Sequence, residues 1–212
     1  MDLFNLSVKD FLQEVDSSSP APGGGSVSAL VSTLGSSLGR MVAHLTFSKK
    51  AYKELPEEDQ QNFSKSFNEI GFLKSKLEIL IDEDTKVYNL VMKSYKLPKE
   101  TEEEKEIRKE EIQKALKKAI ETPLNICKLS LNVLENLDYI LKFGNKNAIT
   151  DLGVSAILLF SGIEGGILNV KVNLSSLDDT EYKNKTLKEI ENILKDSKKI
   201  KENILEVVNS KL

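Results

Sequence analysis

Apolar side chains recur along most of the chain at intervals of three and four residues, the spacing of one face of an α-helix. The clearest stripe runs from Phe63 to Val91. Similar patterns predict further helices over Leu3 to Val15, Ser26 to about Phe47, Glu102 to Phe143, Leu152 to about Val172, and from Asp179 or Thr180 through Val207. No segment shows a period-two strand pattern with hairpin signals. We therefore predict an all-α fold, a single-domain bundle of about six mostly long helices over residues 1–212.

Capping and breaking residues separate these helical patterns. Ser7 is a suitable N-cap for the first helix, and Thr101 with Glu104 has the spacing of a capping box for the fourth. The polar segment 49–60 contains Pro56 and predicts a loop. Pro123 lies inside the fourth helical pattern. We expect a kink or a new helix start there, because proline lacks the backbone N–H that a helix interior uses.

Two of the predicted helices are unusually rich in small side chains. The second helix has one face of such residues, namely Ser28, Ser32, Gly35 or Ser36, Gly39 and Ala43. The helix from Leu152 to Val172 is the natural partner of this face, because it is rich in glycine, alanine and serine. We expect tight helix packing, within a subunit or between subunits. If these two helices pack together, the turns 23–26 and 145–151 can share one cleft, although the sequence does not fix their orientation.

A glycine-rich turn, Pro20 to Ser26, leads into the second helix. Gly23, Gly24 and Gly25 permit backbone conformations closed to other residues, and Ser26 is a suitable N-cap. A ligand at such a turn meets bare backbone and the positive end of the helix dipole. An ordinary loop has the same composition. The turn has neither the ending of a phosphate-binding loop nor the preceding strand of a dinucleotide fingerprint, so it does not indicate a nucleotide site.

One carboxylate falls on the apolar stripe of the third helix. At about 100° per residue, Asp84 points into the middle of that stripe, whereas Asp82 points to the opposite side and Glu83 to one flank. Burial raises the pKa of a carboxyl group and suits it to work as both acid and base. Two interpretations stay open here: Asp84 transfers protons, or it caps or pairs with another helix. We expect Asp82 and Glu83 on the solvated surface.

Composition and charge exclude several classes of function. The chain has 30 Lys and Arg against 33 Asp and Glu, a formal net charge of -3, which argues against binding nucleic acid through a broad basic surface. One histidine, His44, cannot form a histidine-rich metal site, and Cys127 is expected to be a buried structural thiol. Arg40 and several serines make a membrane span by the second helix unfavourable. The N-terminal residues 1–4 lack the pattern of a signal peptide, so we expect a cytoplasmic protein.

Motifs that carry a family resemblance extend over almost the entire chain. They are Pro20 to Ser26 with the helix as far as Thr46, Asp82-Glu-Asp84 with Tyr88, Leu97 to Thr101 with Glu103, Lys105 and Arg108, Gly144-Asn145 with Thr150 to Leu152, and Asn169 to Leu174. Together they resemble the formiminotetrahydrofolate cyclodeaminase and methenyltetrahydrofolate cyclohydrolase family. The resemblance implies an all-helical homodimer that acts on one-carbon tetrahydrofolates. The animal relatives carry a formimino-transferring half before this region, which this sequence lacks, so we expect the chain to act alone or to receive substrate by diffusion.

The reactions implied by the resemblance share one bridging carbon. In cyclodeamination, a folate nitrogen attacks the formimino carbon on its neighbour, and ammonia leaves once it is protonated. In the cyclohydrolase reaction, water adds to the same carbon and the ring opens to the formyl compound. Both reactions need a proton shuttle beside a flat heteroaromatic ligand, and neither needs a metal or a redox cofactor.

The resemblance also implies roles for individual residues. Asp84 is the hypothetical proton shuttle, with Asp82 as the alternative if the helix is rotated from the angle assumed above. The residues implied in substrate binding are the backbone amides of Gly23, Gly24, Gly25 and Ser26, the side chains of Asn145, Asp151 and Asn169, and Lys99 and Arg108 for the glutamate tail of a folate with one or more glutamates. A solvated surface role is equally open for the last two. His44 is not assigned to catalysis, because relatives often carry another polar residue there.

Two alternatives remain at this point. Within the folate family, the protein either is specialised for the cyclohydrolase reaction or also performs cyclodeamination. The missing transferase half slightly favours the first option. A different class of protein is a non-catalytic helical dimer that binds folate or only a protein partner. The presence of Asp84, the three glycines and the Asn145 and Asp151 turn argues against that class, because a bundle without a reaction has no use for an acid on its apolar stripe.

Overall fold

The computed structural model describes residues 2–212, and the backbone in this range forms seven α-helices and no strand. The helices are α1 (Val8–Val15), α2 (Gly24–Phe47), α3 (Lys50–Lys53), α4 (Glu57–Tyr95), α5 (Glu102–Phe143), α6 (Ile149–Ser175) and α7 (Thr180–Asn209), with a 3-10 turn at Lys146–Ala148 before α6. The prediction of an all-α bundle with mostly long helices is confirmed.

The four helices α2, α4, α5 and α6 form the bundle, and α7 packs outside against α5 and α6. Helices α4 and α6 both run antiparallel to α2. Ser26 at the start of α2 contacts Asp84 in the second half of α4, whereas Arg40 near the end of α2 contacts Phe67 in the first half of α4. In this arrangement the start of α2, the end of α4 and the end of α6 lie at the same end of the bundle.

The predicted caps of α1 and α5 are confirmed, and α7 begins at Thr180, one of its two predicted starts, with Asp179 as its cap. The Ser7 hydroxyl accepts the N–H of Asp10 at the start of α1, and the Asp179 carboxylate accepts the N–H of Tyr182 at the start of α7. Thr101 and Glu104 form the complete capping box of α5. Such caps satisfy backbone N–H groups that have no partner inside the helix.

Three other predicted boundaries are wrong. The loop expected over 49–60 contains α3 and the first turn of α4, where Pro56 and three acidic residues favour a helix start. Helix α2 has Gly23 as its N-cap, and Ser26 lies inside its first turn. The sequence predicts Thr150 or Asp151 as the N-cap of α6. The helix begins at Ile149, so both are first-turn residues and do not cap it.

The small faces of α2 and α6 pack against each other within one subunit, as one of the two predicted options. A Cβ atom added at Gly162 would lie 2.9 Å from the carbonyl oxygen of Ser28 and would overlap the Ser32 hydroxyl. The Ser155 hydroxyl donates a hydrogen bond to the Gly35 carbonyl at 2.6 Å. The helix backbones are therefore close enough for side chains of one helix to bond the main chain of the other.

The antiparallel packing of α2 and α6 separates the two turns that were expected to share a cleft. The glycine turn lies beside the end of α6, where Gly24 faces Asn169. The Asn145 N–H donates to the Thr46 hydroxyl at 2.9 Å. Thr46 is about 30 Å along α2 from Ser26, at 1.5 Å per residue. The expectation of a shared cleft is therefore wrong for a single chain.

Pro123 does not start a new helix, which was one of the two expected outcomes, since α5 continues from Glu102 to Phe143. Proline leaves the carbonyl of Ala119, four residues earlier, without its helical N–H partner. The side-chain amide of Asn173 on α6 donates to this carbonyl at 2.8 Å. An asparagine of the neighbouring helix thus replaces the missing backbone donor.

One helical stretch, Lys146–Ser175, is long and apolar enough to cross a membrane, with a mean hydropathy of 1.5 in a window that is 50% buried. Its main part, α6, packs against α2, α5 and α7 in the bundle. The core helix of a soluble bundle has the same length and composition, so this finding is weak evidence for a membrane span.

Gly162→Ala should lower the free energy of unfolding by about 1 to 3 kcal/mol, because the added methyl group overpacks the α2–α6 contact. Gly153→Ala in the same helix is the matched control. Its Cβ would lie 3.4 Å or more from the nearest atoms, those of Val208 and Leu205, an ordinary contact. Urea denaturation of both variants measures the difference; equal effects would contradict close packing at Gly162.

Asn173→Ala should lower the free energy of unfolding by about 1 to 3 kcal/mol, because the buried Ala119 carbonyl loses its donor. Pro123→Ala restores a backbone N–H at that place. In a double-mutant cycle, we therefore expect the cost of Asn173→Ala to be smaller in the Pro123→Ala background. The same cost in both backgrounds would show that Asn173 does not compensate for the proline.

Candidate active site

Asp84 on α4 lies against the first turn of α2. Its Oδ2 accepts the backbone N–H of Ser26 at 2.9 Å and the Ser26 hydroxyl at 3.3 Å. The Ser26 hydroxyl also lies 3.3 Å from the Thr85 hydroxyl. The carboxylate of one helix thus occupies the N-terminal end of another, where free N–H groups and the helix dipole favour negative charge.

Two opposing effects act on the ionisation of Asp84. Burial raises its pKa, and the hydrogen bonds from the Ser26 N–H and hydroxyl lower it. Burial is the larger effect, so the pKa lies above the usual value of an aspartate. A carboxyl group with a raised pKa exchanges protons more readily near neutral pH than an exposed one.

The second carboxylate oxygen, Oδ1, remains available to a ligand. Both hydrogen bonds of the Asp84 side chain end on Oδ2. Every fully buried polar side-chain atom in residues 2–212 has a hydrogen-bond partner. Oδ1 has no hydrogen-bond partner in this range, so it is not fully buried. It can therefore accept or donate a proton at the surface of the site.

Two of the three glycines are explained by contacts with side chains from other helices. A Cβ atom at Gly25 would overlap the Asp84 carboxylate. A Cβ atom at Gly24 would lie 3.1 Å from the amide nitrogen of Asn169 on α6. The glycines therefore allow Asp84 and Asn169 to reach the start of α2 from opposite sides.

Asn169 is placed with a free acceptor. Its amide nitrogen donates to the Gly165 carbonyl at 2.8 Å, one turn earlier in α6. Its side-chain amide faces α2, where a Cβ atom at Gly24 would lie 3.1 Å from the nitrogen and 3.6 Å from the oxygen. The structure thus brings together Gly24, Gly25, Ser26, Asp84 and Asn169, with Gly23 as the adjoining N-cap of α2.

Asp82 has a structural role instead of the exposed position that the sequence suggested. Its Oδ1 accepts the N–H of Leu3 at 2.7 Å, and its Oδ2 lies 3.4 Å from the N–H of Phe4. Helix α4 is not rotated from the predicted angle, since Asp84 and not Asp82 faces α2. Asp82 holds the segment before α1 against α4.

The other predicted site residues lie away from Asp84 in a single chain. Asn145 and Asp151 are at the opposite end of the bundle, where the Asn145 side chain caps the turn at Asn147. Lys99 is exposed in the connection between α4 and α5. Arg108 donates two hydrogen bonds to the Tyr95 carbonyl, at 3.0 and 3.3 Å, and so closes the end of α4.

Five grooves on the surface of the chain have volumes of about 440 to 860 Å³, and neither Asp84 nor the glycine turn lines any of them. The groove of about 570 Å³ between α4 and α5 carries Lys93, Lys114, Lys117 and Lys118 together with Glu111 and Glu121. Two of these lysines form ion pairs, with Glu111 and Asp179. The sequence did not reveal this lysine-rich groove, because its residues come from two helices with ordinary charged surfaces.

The two residues set aside by composition have ordinary environments. Cys127 is fully buried, and burial raises the pKa of its thiol to about 12, so it is a structural residue as predicted. His44 is exposed and its ring packs edge-on against Phe67, with ring centroids 4.8 Å apart.

Comparison with known proteins agrees with the motifs and with the fold. The profile of the family described as Formiminotransferase-cyclodeaminase matches residues 7–192. The chain belongs to this family. A methenyltetrahydrofolate cyclohydrolase of Methylorubrum extorquens is 36% identical over 208 residues, which cover 98% of this chain and 98% of that protein. The family resemblance predicted from the motifs is therefore confirmed.

Other members of the formiminotransferase-cyclodeaminase family differ in length. The formimidoyltransferase-cyclodeaminase of Mus musculus is 31% identical over 196 residues, which cover 92% of this chain but 36% of the mouse protein. The crystal structure of formiminotetrahydrofolate cyclodeaminase from Thermotoga maritima matches with a TM-score of 0.85 at 27% identity and covers 97% of both chains. The whole bundle, α7 included, thus has a counterpart of similar length in the family.

Asp84→Asn should raise the free energy of unfolding at pH 7 relative to the unchanged protein. Because the folded-state pKa is raised, Asp84 favours the folded state most below the unfolded pKa, and this contribution is lost as pH rises. The gain should shrink as pH falls towards about 3.9, the usual pKa of aspartate. Urea denaturation at several pH values measures it.

The matched control, Asp179→Asn, should change the free energy of unfolding in the opposite direction. The hydrogen bond from Lys117 lowers the pKa of Asp179, which therefore stabilises the folded state above the unfolded pKa and loses this effect as pH falls. Asp179→Asn should lower the free energy of unfolding at pH 7. Stabilities that move in the same direction for the two variants would contradict the burial of an ionised Asp84.

Proposed function

We propose that this chain converts one-carbon tetrahydrofolates through methenyltetrahydrofolate, with Asp84 as the acid–base group. As a member of the formiminotransferase-cyclodeaminase family, it is a one-carbon folate enzyme with methenyltetrahydrofolate cyclohydrolase or formiminotetrahydrofolate cyclodeaminase activity. The observation that carries the assignment of the site is the partly buried Asp84 carboxylate, held on one oxygen by Ser26 and free on the other. The chain as a whole, residues 1–212, forms the catalytic domain.

In the cyclohydrolase reaction, the substrate's bridging carbon is positively polarised and water attacks it. The Asp84 carboxylate accepts a proton from this water as the carbon–oxygen bond forms. The tetrahedral carbon then loses its bond to one ring nitrogen, and the protonated Asp84 returns the proton to that nitrogen. The hydroxyl group on the carbon releases its own proton to solvent and becomes the formyl oxygen. The product is the formyl compound. A raised pKa helps both steps, because the same carboxyl group first takes and then gives a proton.

In cyclodeamination, the same carboxyl group acts on a different leaving group. A folate nitrogen attacks the carbon of the protonated formimino group, which becomes an amino group on the tetrahedral carbon, and the attacking nitrogen loses its proton to Asp84. The protonated Asp84 then donates to the amino group on the tetrahedral carbon, and ammonia leaves. The methenyl bridge remains. Both reactions use one carboxyl group, the substrate and, for the cyclohydrolase, one water molecule, so we propose no metal and no redox cofactor for this site.

The remaining groups at the start of α2 orient the folate. The N–H groups of Gly24 and Gly25 belong to the first helical turn and have no acceptor inside the helix. They suit the carbonyl or ring-nitrogen edge of a pterin, and the Asn169 oxygen suits a pterin N–H group. Helix α4 continues for about 16 Å beyond Asp84, to Tyr95, at 1.5 Å per residue. The exposed Lys99 follows in the connection to α5, where a glutamate tail can extend.

We propose a cytoplasmic homodimer that binds folate substrates, with or without a polyglutamate tail, and neither nucleic acid nor membranes. The acidic net charge of -3 supports the first exclusion. Arg108 is occupied by the Tyr95 carbonyl, so Lys99 is the better candidate of the two for the glutamate tail. The Methylorubrum extorquens cyclohydrolase, which matches over 98% of its length, supports the cyclohydrolase reaction as the main activity.

Asp84→Asn should reduce turnover of methenyltetrahydrofolate by about 100-fold or more, because a neutral amide cannot accept the proton. The absorbance of the methenyl chromophore follows its loss in the cyclohydrolase assay and its growth from the formimino compound. Folate binding, measured by calorimetry, should persist. Asp82→Asn is the matched control and should keep its turnover.

Three outcomes separate the interpretations. Full turnover by Asp84→Asn together with loss in Asp82→Asn assigns the proton transfer to Asp82. Full turnover by both variants removes either carboxylate from the mechanism. An unchanged protein that binds folate without altering the chromophore in either assay is a folate-binding module and contradicts the proposed activity.

A further inference from the structure

The apolar stripe of α4 continues beyond Asp84, the level at which α2 begins. Ser26, in the first turn of α2, bonds the Asp84 carboxylate, so α2 covers α4 only as far as this level. Helix α4 extends about 16 Å further, to Tyr95, at 1.5 Å per residue. At about 100° per residue, Tyr88 and Tyr95 lie within about 40° of the direction of Asp84. These two tyrosines therefore belong to the part of the stripe that α2 does not cover.

The exposure of the two tyrosines reflects the loss of this cover. Ile70 and Leu77 occupy the same angular positions as Tyr88 and Tyr95 but lie five turns earlier in α4, at about 3.6 residues per turn. Both are fully buried. Tyr88 is half-buried, and Tyr95 is 42% exposed. A partly open aromatic face thus follows directly on the proposed proton-transfer group.

The open side of this part of α4 is the side that α2 has left. Helix α5 continues beside it, as the hydrogen bonds from Arg108 to the Tyr95 carbonyl show. Val87 and Val91 on the same stretch of α4 stay buried. The tyrosines are therefore uncovered because α2 ends, while the contact between α4 and α5 continues.

Tyr88 lies one turn beyond Asp84 on the same face of α4. Residues four positions apart in a helix have Cβ atoms about 5 to 6 Å apart. Side chains in a helix lean towards its N-terminus, so the Tyr88 ring is directed back towards the turn that carries Asp84. The Tyr88 hydroxyl has no hydrogen-bond partner in residues 2–212, so it is not fully buried. The ring is therefore close to the site without a hydrogen bond that ties it to the rest of the chain.

The order of groups at this end of the bundle matches the order of groups in a one-carbon folate. Gly24 and Asn169 lie on the side proposed for the pterin, and Asp84 faces the bridging carbon. In methenyltetrahydrofolate this carbon joins a pterin nitrogen to the nitrogen that carries the p-aminobenzoyl ring. That ring is the next group after the reacting carbon, as Tyr88 is the next side chain after Asp84 on this face.

Positive charge follows beyond the tyrosines. The Arg108 guanidinium lies 5.9 Å from the centroid of the Tyr95 ring, and Lys99 is exposed in the connection that follows. The nearby Glu104 is already engaged, because its carboxylate accepts backbone N–H groups in the capping box of α5. In a folate, the glutamate carboxylates follow the p-aminobenzoyl ring. The charge of this region therefore favours a ligand that lies along α4 with its acidic end away from Asp84.

We propose that the Tyr88 ring packs against the p-aminobenzoyl ring of the folate and so holds the bridging carbon at Asp84. Aromatic pairs contribute to binding beyond the area that they bury, and ligand sites combine aromatic side chains with a few polar groups. Tyr88 binds a part of the substrate that does not react, and it exchanges no proton. The proposal rests on the proposed function for the identity of the ligand, but the contact can be tested without turnover.

The direct test uses p-aminobenzoylglutamate, which contains the ring and the glutamate of a folate but no pterin and no bridging carbon. The chain has five tyrosines, whose signals are followed by nuclear magnetic resonance after carbon-13 labelling of the tyrosine rings. The Tyr88 signal is assigned by its absence in Tyr88→Phe. It should shift more than the other four when the probe is added, because ring currents act at short range.

Two results of this titration would overturn the proposal. One is a Tyr88 signal that does not move at the highest soluble concentration of the probe, whether or not other tyrosines respond. The other is a Tyr88 signal that moves with protein concentration and not with the probe. That result would show that a second copy of the chain covers this face.

Substitutions at Tyr88 separate binding from proton transfer. Tyr88→Leu should raise KM for methenyltetrahydrofolate about 3- to 10-fold with little change in kcat, because leucine is apolar but forms no aromatic pair. Tyr88→Phe keeps the ring and should retain the wild-type KM and kcat. An unchanged KM in Tyr88→Leu would overturn the proposal. A lower kcat at unchanged KM in Tyr88→Phe would overturn it as well, because the hydroxyl would then act in the reaction.

Tyr95→Leu is the matched control. Tyr95 has the same side chain on the same face but lies about 10 Å further along α4, at 1.5 Å per residue, so it should not reach the p-aminobenzoyl ring. We expect an unchanged KM, and an increase equal to that of Tyr88→Leu would contradict a specific contact at Tyr88. Thermal denaturation checks the folding of each variant, and the titration of the wild-type protein decides the contact if Tyr88→Leu does not fold. A wild-type protein without turnover in either assay contradicts the proposed function, and the titration still decides the contact with Tyr88.

Discussion

The contact between the Asp84 carboxylate and the first turn of α2 determines most of what is distinctive in this structure. A carboxylate placed at that position requires a helix start with no side chain in its path, which explains Gly25. The Ser26 side chain was expected to cap this helix start. The Asp84 carboxylate caps it instead, because its Oδ2 accepts the Ser26 N–H. The same placement leaves Oδ1 free. A single interaction therefore connects the start of a helix, the need for glycine and a carboxyl group suited to proton transfer.

The close packing of α2 and α6 holds this contact in place. Hydroxyl and glycine contacts between the two helices fix their distance, as between Ser155 and the Gly35 carbonyl or between Gly162 and Ser28. With so little space between the backbones, Asn169 reaches Gly24 from α6 while Asp84 reaches Gly25 from α4. The small residues of α2 face inwards, and its outward face exposes apolar side chains such as Leu34 and Leu45.

The sequence predicted the fold class, the long helices and the position of Asp84, because these depend on periodicities within one helix. The sequence did not predict the relative direction of neighbouring helices. Nothing in the composition of α2 and α6 states that they pack antiparallel, and the prediction that the turns 23–26 and 145–151 share a cleft failed for this reason. The prediction that Asp82 lies on the solvated surface failed because its hydrogen-bond partner, the Leu3 N–H, belongs to a distant segment of the sequence. The sequence also did not predict the role of Asn173. Pro123 leaves the Ala119 carbonyl without its helical donor, and only the position of α6 beside α5 shows that Asn173 supplies one.

The most direct test of Asp84 as the proton-transfer group is a carbon-13 titration of its carboxyl resonance, assigned by its disappearance in Asp84→Asn, with and without methenyltetrahydrofolate. We expect a midpoint above the usual aspartate range in the free protein, because burial outweighs the hydrogen bonds from Ser26. We also expect the bound folate to shift this resonance. A midpoint in the ordinary aspartate range, with no response to folate, would contradict the assignment of Asp84 as the proton-transfer group.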